Sequence, residues 1–284
     1  MVDSELLQQA QDFVAAHPNG IAKDQLFLVD KEVIDELVST AGINFADRVL
    51  EIGPGLGFIT KELAKRAKEV LAIELDEELK PYLDKLPAKV KVVYGDAYCL
   101  LNDRKFRRRT KPYTKTVSSI PYSQAQNMLH NYTNISWCQG DPIWLAPLSL
   151  VKKVNQEPIL GAFFHAEVIA KVPKSAFYPQ PHTSSAIIHF HQIPEPRTTA
   201  DFEIYFRRWL YNNEDMKVKN ALREGVIHAA QELWGKVVTK NEARDMVSKL
   251  GIPEPELEKL TNNIRPEYYF DIPTKLKRFL LRLP

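Results

Sequence analysis

The chain has 284 residues, enough for one large core and a smaller satellite domain. Its 44% hydrophobic and 26% charged content is ordinary for a globular protein, and no run approaches the ~18 apolar residues that would cross a bilayer. A formal net charge of +2 is too small to argue for a nucleic-acid partner, so any such case must rest on local clusters.

Met1 to Ala16 has acids and glutamines where a signal peptide needs a basic end and an apolar centre, so a cytoplasmic protein is expected. Cys99 and Cys138 match no metal-ligand or disulfide spacing; they read as reduced thiols, and no metal is expected. The pattern predicts a helix over Ser4 to Ala16, ended by His17-Pro18-Asn19-Gly20. After Asp24-Gln25-Leu26-Phe27-Leu28-Val29-Asp30, a second helix runs from Lys31 to Ala41 on Val33, Ile34, Leu37 and Val38.

The chain is organised around Val49-Leu50-Glu51-Ile52-Gly53-Pro54-Gly55-Leu56-Gly57. Val49, Leu50 and Ile52 make a short buried parallel strand, and the glycines turn the chain sharply where a ligand meets bare backbone. Ile59, Leu63 and Ala67 then stripe a helix over Phe58 to Lys68. The spacing G-x-G-x-G differs from the G-x-G-x-x-G of a dinucleotide fold, which argues against a nicotinamide oxidoreductase. The next strand, Val70 to Ile73, ends in Glu74, suited to ribose hydroxyls; a third, Val90 to Tyr94, ends in Gly95-Asp96-Ala97, where Asp96 suits an adenine amine. Alternating strands and helices make this an α/β fold with a parallel sheet and flanking helices.

Arg104 to Lys115 carries seven basic residues, Phe106 and Tyr113, and no acid: either a solvated loop or a phosphate-contacting patch. A β-rich lead-in then stops at Ser119-Ile120-Pro121-Tyr122. Trp137, Trp144 and several prolines make Gln124 to Pro158 read as loops with a helix from Pro147 to Val154. Strands follow at Gly161 to Ile169 and Ser185 to Phe190, separated by Phe177-Tyr178-Pro179-Gln180-Pro181. Its prolines stiffen Phe177 as a pocket wall, the ordinary alternative being a packed aromatic at a turn. Ile193-Pro194-Glu195-Pro196-Arg197 marks a boundary between residues 1–193 (with a helical extension over 1–23) and a helical domain over 198–284. Helices are expected at Phe202 to Tyr211, Val218 to Trp234, Lys240 to Leu250, Glu254 to Thr261 and Thr274 to Leu283. The basic residues there (Arg207, Arg208, Lys217, Lys219, Arg223, Lys275, Lys277, Arg278) read as solvated surface or as RNA-backbone contacts.

The glycine loop with its successive strand ends looks like the S-adenosylmethionine (SAM) site of a Rossmann-like methyltransferase. With D-Q-L-F-L-V-D, E-I-G-P-G-L-G, A-I-E-L-D, G-D-A, S-I-P-Y and F-Y-P-Q-P-H-T-S-S-A in order, the chain resembles the KsgA family of ribosomal RNA dimethyltransferases, which includes the erythromycin-resistance methyltransferases. By that likeness Leu28, Gly53, Gly55, Glu74 and Asp96 hold SAM, with Leu26, Glu51, Leu75, Ala97 and Ser119 beside them. Ser119, Ile120, Pro121 and Tyr122 would form the catalytic pocket, and Phe177 would pair with Tyr122 in stacking a flipped-out base. The implied partner is small-subunit ribosomal RNA in a pre-ribosomal particle, met by a monomer with no membrane attachment.

Two departures surround the target base or its donor: Leu26 stands where the family has asparagine, and the family's N-L-P-Y or N-I-P-Y has become S-I-P-Y. Among amino-methyltransferases, serine at that position accompanies cytosine N4 and asparagine or aspartate accompanies adenine N6. Ser119 therefore sets cytosine N4, mono- or dimethylated, ahead of adenine N6. A second reading is an RNA-binding assembly factor that keeps the fold and has lost catalysis.

Overall fold

The computed structural model describes residues 1–17, 25–110, 112–133, 138–157 and 159–281. The expected helix stop at Pro18 to Gly20, Asp24 of the D-Q-L-F-L-V-D motif, Lys111, Trp137 and the final residues 282–284 lie outside these. The chain divides into two compact units, residues 1–154 with 166–191, and residues 155–165 with 192–284.

The first unit opens with α1 (Ser4–Ala15), the two-residue strand β1 (Phe27–Leu28) and α2 (Lys31–Thr40). Asp3 and Asp30 cap the two helices, each accepting from backbone N–H groups of the first turn. Then come β2 (Arg48–Ile52), α3 (Phe58–Arg66), β3 (Glu69–Glu74), α4 (Lys80–Leu83), β4 (Val90–Tyr94), α5 (Ala97–Asn102), α6 (Arg104–Arg109) and β5 (Lys115–Ser119). The unit continues with α7 (Ala125–Thr133), β6 (Pro142–Pro147) and α8 (Ser149–Gln156). After α9 (Leu160–Phe163), which belongs to the second unit, β7 (Phe164–Val172), β8 (Phe177–Tyr178) and β9 (Ser185–Gln192) complete the described strands.

Among the described residues seven strands form one sheet in the order β4-β3-β2-β5-β6-β9-β7, and β1 pairs with β8 apart from it. The pairs β4·β3, β3·β2, β2·β5 and β5·β6 are parallel, and β9 is antiparallel to β6. From β2 the chain winds outward through β3 and β4, then returns to place β5 on the other side of β2. The carboxyl ends of β2 and β5 thus flank the point where strand order reverses, where open α/β sheets hold ligands.

β6 was not expected, because its sequence P-I-W-L-A-P is bounded by prolines and shows no alternation. Pro142 occupies the first position of the strand, where a proline is tolerated, and buried residues on both faces erase the period of two. The helix expected from Pro147 begins at Ser149, and α7 takes part of the stretch read as loops. Likewise Gly161 to Phe163 is helical, and β7 runs on to Val172.

The second unit carries α10 (Phe202–Asn212), α11 (Val218–Trp234), α12 (Lys240–Ser248), α13 (Glu254–Leu257) and α14 (Tyr268–Leu280). Its core is built from Phe202, Phe206, Leu222, Val226, Ile272 and Leu276, among others. α14 begins six residues before the Thr274 that follows Pro273, so the proline lies inside the helix. Proline lacks the N–H that Tyr269's carbonyl would accept, and Arg207 Nε donates to that carbonyl instead at 3.1 Å. The helix expected over Glu254 to Thr261 stops at Leu257.

Several cations read as possible RNA contacts are tied up within this unit. Arg208 is only 6% exposed and donates to the carbonyls of Ala162 at 2.9 Å and Ile193 at 2.6 Å, with its guanidinium 4.8 Å from the Phe163 ring centroid. Lys217 and Lys219 both meet Glu258, and their ammonium groups hold its carboxyl down at about 2. Lys277 Nζ donates to the Ala200 carbonyl. Among the described residues no helix is long and apolar enough to cross a membrane.

Candidate functional site

The glycine loop begins where β2 leaves the sheet. Gly53 donates its N–H to Ile73 at 2.9 Å, and the buried Ser118 hydroxyl on β5 accepts from Ile52 N–H at 2.8 Å. Gly53 and Gly55 adopt φ of +67° and +55°, a region that strains any L side chain. A Cβ on Gly55 would also lie 3.4 Å from the Phe27 ring.

Glu74, at the end of β3, folds back under this loop. One carboxylate oxygen accepts from the N–H groups of Leu75 and Asp76 at 2.8 and 3.0 Å, and the other from Gly55 at 3.0 Å. Burial raises its pKa, while those donors pull it back. Three of about four acceptor positions are thereby filled, leaving room for a ligand hydroxyl. Asp96 caps α5 by accepting from Cys99 N–H at 3.0 Å.

Two clefts share Gly53, Glu74 and Pro121. Leu26, Phe27, Gly55, Ser119, Ile120 and Tyr122 line the first. Leu75, Asp96, Ala97, Tyr98, Gln124 and Met128 line the second, with the Leu75 residue 70% exposed. The arrangement joins an oxygen-rich acceptor to an apolar slot on one side and to the S-I-P-Y turn on the other.

Three sequence-selected residues do not line these clefts. Leu28 and Phe177 are strand partners in the β1·β8 pair, 3% and 2% exposed, and both belong to the apolar core. Phe177 therefore does not offer a face to a base in this structure, because its ring is packed within that core. The Tyr178–Pro179 peptide beside it is cis. Glu51 is wholly buried beneath the loop, where neither carboxylate oxygen nor the Thr60 hydroxyl completes a hydrogen bond of good geometry.

Burial pushes the Glu51 carboxyl up to about 8 from its ordinary 4.5, against the opposing pull of the nearby Thr60 hydroxyl. Between those values the native carboxyl keeps a proton that the unfolded chain has released. Its contribution to stability is complete below pH 4.5, is lost as pH rises through about 8, and changes no further above that. Melting temperature measured across this range should fall more for the wild type than for Glu51→Gln, which cannot ionise. Parallel pH profiles would show that Glu51 does not carry this linkage.

Tyr122 lines the first cleft, and its hydroxyl is hydrogen-bonded to Ser185 Oγ at the start of β9. Burial raises the Tyr122 pKa above its ordinary value, against the pull of the Ser185 hydrogen bond. Ser185, Ser118, Phe27 and Met128 were not selected from sequence. Ser185 had one available signal, the serines closing F-Y-P-Q-P-H-T-S-S-A, and Phe27 had its place in D-Q-L-F-L-V-D; Ser118 and Met128 belong to no motif. Of the basic stretch Arg104 to Lys115, the first half is the helix α6, capped by Asp103, with Arg104, Lys105, Arg108 and Arg109 exposed; Lys115 begins β5, and Tyr113 is buried and offers no face to a nucleic acid.

Residues 21–249 match the family described as ribosomal RNA adenine dimethylase. The chain is 27% identical over 272 residues to a ribosomal RNA small subunit methyltransferase A of Listeria welshimeri, spanning 84% of this chain and 88% of that one. It is 30% identical over 248 residues to a "Probable ribosomal RNA small subunit methyltransferase A" of Methanococcus maripaludis, spanning 80% and 86%. Among solved structures it is similar in fold to a dimethyladenosine transferase from Plasmodium falciparum (TM-score 0.53, 17% identity, 86% of this chain and 94% of that one). The 23S rRNA methyltransferase ErmE is similar to the same degree (TM-score 0.53, 20% identity, 88% and 98%).

Proposed function

Because this chain belongs to the ribosomal RNA adenine dimethylase family, we propose that it dimethylates the exocyclic amine of a flipped-out adenine in small-subunit ribosomal RNA. Its methyl donor is S-adenosylmethionine. The observation that carries this reading is the joining of the Glu74 and Gly53–Gly55 cleft to the S-I-P-Y turn through Pro121.

The residues present fit the donor. Gly53 and Gly55 expose backbone where a Cβ on either would meet Pro121 at 3.6 Å or Phe27 at 3.4 Å. Glu74 retains acceptor capacity for a ribose hydroxyl, Asp96 stands ready for an adenine amine, and Leu75 and Ala97 offer apolar surface to the ring. Leu26 supplies a wall where a polar contact would otherwise stand. Glu51 supports the loop from below and Leu28 packs behind it. The bound donor supplies an electrophilic methyl on a sulfonium.

An exocyclic amine conjugated to its ring is a poor nucleophile, since its lone pair is delocalised. Ser119 and the Ile120 carbonyl accept the amine hydrogens and turn the lone pair toward the cleft that holds the donor. Tyr122 stacks the extruded base, and Pro121 stiffens the turn. Positioning and fixed dipoles supply the acceleration, with no dedicated general base. Extrusion is required because a paired, stacked base cannot present its amine to the donor.

Adenine is preferred over cytosine N4 because the family's own description names adenine, which outweighs one serine. We take residues 1–193 as the methyltransferase domain and 198–284 as a helical domain in contact with RNA, working as a cytoplasmic monomer on a pre-ribosomal particle. The four exposed cations of α6 suit phosphate contacts.

Nucleoside mass spectrometry of rRNA from cells with and without the gene tests the reading. Loss of dimethyladenosine is the expected result. Loss of a methylated cytidine would restore the argument from Ser119. An unchanged nucleoside profile, with the donor still bound by the pure protein, would leave an assembly factor.

A further inference from the structure

A second cluster of chemically capable side chains lies at the amino end of β6, away from the carboxyl strand ends that carry the first site. Asp141 immediately precedes β6, while His189 and His191 stand two residues apart on β9 and so share one face. Ile143 is paired with His189, and continuing that antiparallel register by two residues sets Asp141 against His191. The inner members of the same rows, Ile143, Leu145 and Ile187, are buried core residues. Apolar side chains thus give way to ionisable ones where these strands approach solvent.

The geometry is that of a ligand set. Asp141 Oδ2 lies 3.0 Å from His189 Nε2 and 3.7 Å from His191 Nδ1. One donor atom from each of the three residues falls within 4.8 Å of the others. Metal–nitrogen and metal–oxygen bonds of about 2.0–2.2 Å around one ion call for donors about 3–4 Å apart, which modest side-chain rotation supplies. The two imidazoles are stacked with centroids 3.8 Å apart, so both edges already face the carboxylate.

A fourth residue points the same way. His191 presents Nδ1 to Asp141, and its Nε2 lies 2.8 Å from Glu167 Oε2 on β7. An imidazole that ligates a metal through one nitrogen characteristically donates from the other to a carboxylate, which fixes its tautomer and orientation. The three ligand side chains are 25–40% exposed, so an ion can enter and water can complete its shell.

We propose that Asp141, His189 and His191 bind a divalent transition-metal ion of the zinc class, with Glu167 as a positioning residue for His191. Two imidazoles with a carboxylate favour such an ion over magnesium or calcium, which prefer all-oxygen shells. β6 runs parallel to β5, and the S-I-P-Y turn leaves the carboxyl end of β5 while Asp141 precedes the amino end of β6. The ion therefore clamps β6 to β9 and takes no part in methyl transfer.

Untagged full-length protein, stripped with chelator, would be titrated with Co2+ and then Zn2+. One Co2+ per chain with d–d absorption bands, displaced by one Zn2+, is expected. The double variant His189→Ala/His191→Ala should weaken Zn2+ binding at least about 100-fold, and Glu167→Gln about 10–100-fold with stoichiometry unchanged. Circular dichroism would verify that the variants are folded. X-ray absorption of the Zn2+-loaded wild type needs no variant: nitrogen and oxygen scatterers at about 2.0–2.1 Å with imidazole features are expected, and no sulfur shell at about 2.3 Å. Less than stoichiometric binding, unchanged affinity in the folded double variant, or a sulfur shell implicating Cys99 or Cys138 would each overturn the proposal.

Discussion

Tyr122→Ala is expected to lower kcat/KM for methyl transfer by about 10- to 100-fold while the Kd for S-adenosylmethionine shifts less than about threefold. Stacking of an unpaired base on an aromatic ring contributes about 1–3 kcal/mol, and this variant deletes the ring. Under the proposed function the donor is held by Glu74 and by backbone at Gly53 and Gly55, which share the first cleft with Tyr122 but lose no atom in this variant. Tyr122→Phe keeps the ring and loses only the hydrogen bond to Ser185. It should fall much less, and Ser185→Ala should match it, since both remove the same contact. In the double variant the losses should be less than additive. Single-turnover transfer to an unmethylated small-subunit particle, beside calorimetric titration of the donor, separates the two functions. Equal losses of transfer and donor binding would remove Tyr122 from its role as a base wall.

Phe177→Ala is expected to act first on stability, by about 3–5 kcal/mol, the range for deleting a buried phenylalanine side chain. The ring is 2% exposed and packed in the main core, on the strand paired with β1. In a protein of this length such a loss lowers Tm by roughly 10 °C. Phe177→Leu should retain most of the stability and most of the transfer rate, because an apolar side chain of similar reach still fills the space. Thermal unfolding of both variants decides the matter. A Phe177→Ala protein with wild-type Tm and selectively lost transfer would show that the ring swings out to meet the base, as the family resemblance implies.

Much of the methyltransferase unit was legible in the chain itself. The strand, glycine turn and helix around Gly53 are encoded locally, by β-branched residues, backbone that needs positive φ and an apolar stripe of helical period. Strands ending on Glu74 and Asp96 could be read the same way, because a strand's end is marked by its own neighbours in sequence. Legibility failed wherever the deciding partner was remote. β6 lost its alternation because the sheet buries both its faces, and Pro273 lies within α14, where the remote Arg207 takes up the freed carbonyl.

The site divides along the same line. Residue types, spacing and the family resemblance together pointed to Gly53, Gly55, Glu74, Asp96 and Ser119 to Tyr122, which the structure brings to two adjoining clefts. Only tertiary structure turned Phe177 and Leu28 into the core, buried Glu51 as a carboxyl held up to about 8, and tied Tyr122 to Ser185 63 residues away. It also brought Asp141 to His189 across 48 residues. The physical reason is common to all of these. Backbone conformation is set by sterics and periodicity within a few residues, whereas the direction and partner of a side chain are decided by strand register and by what packs against it.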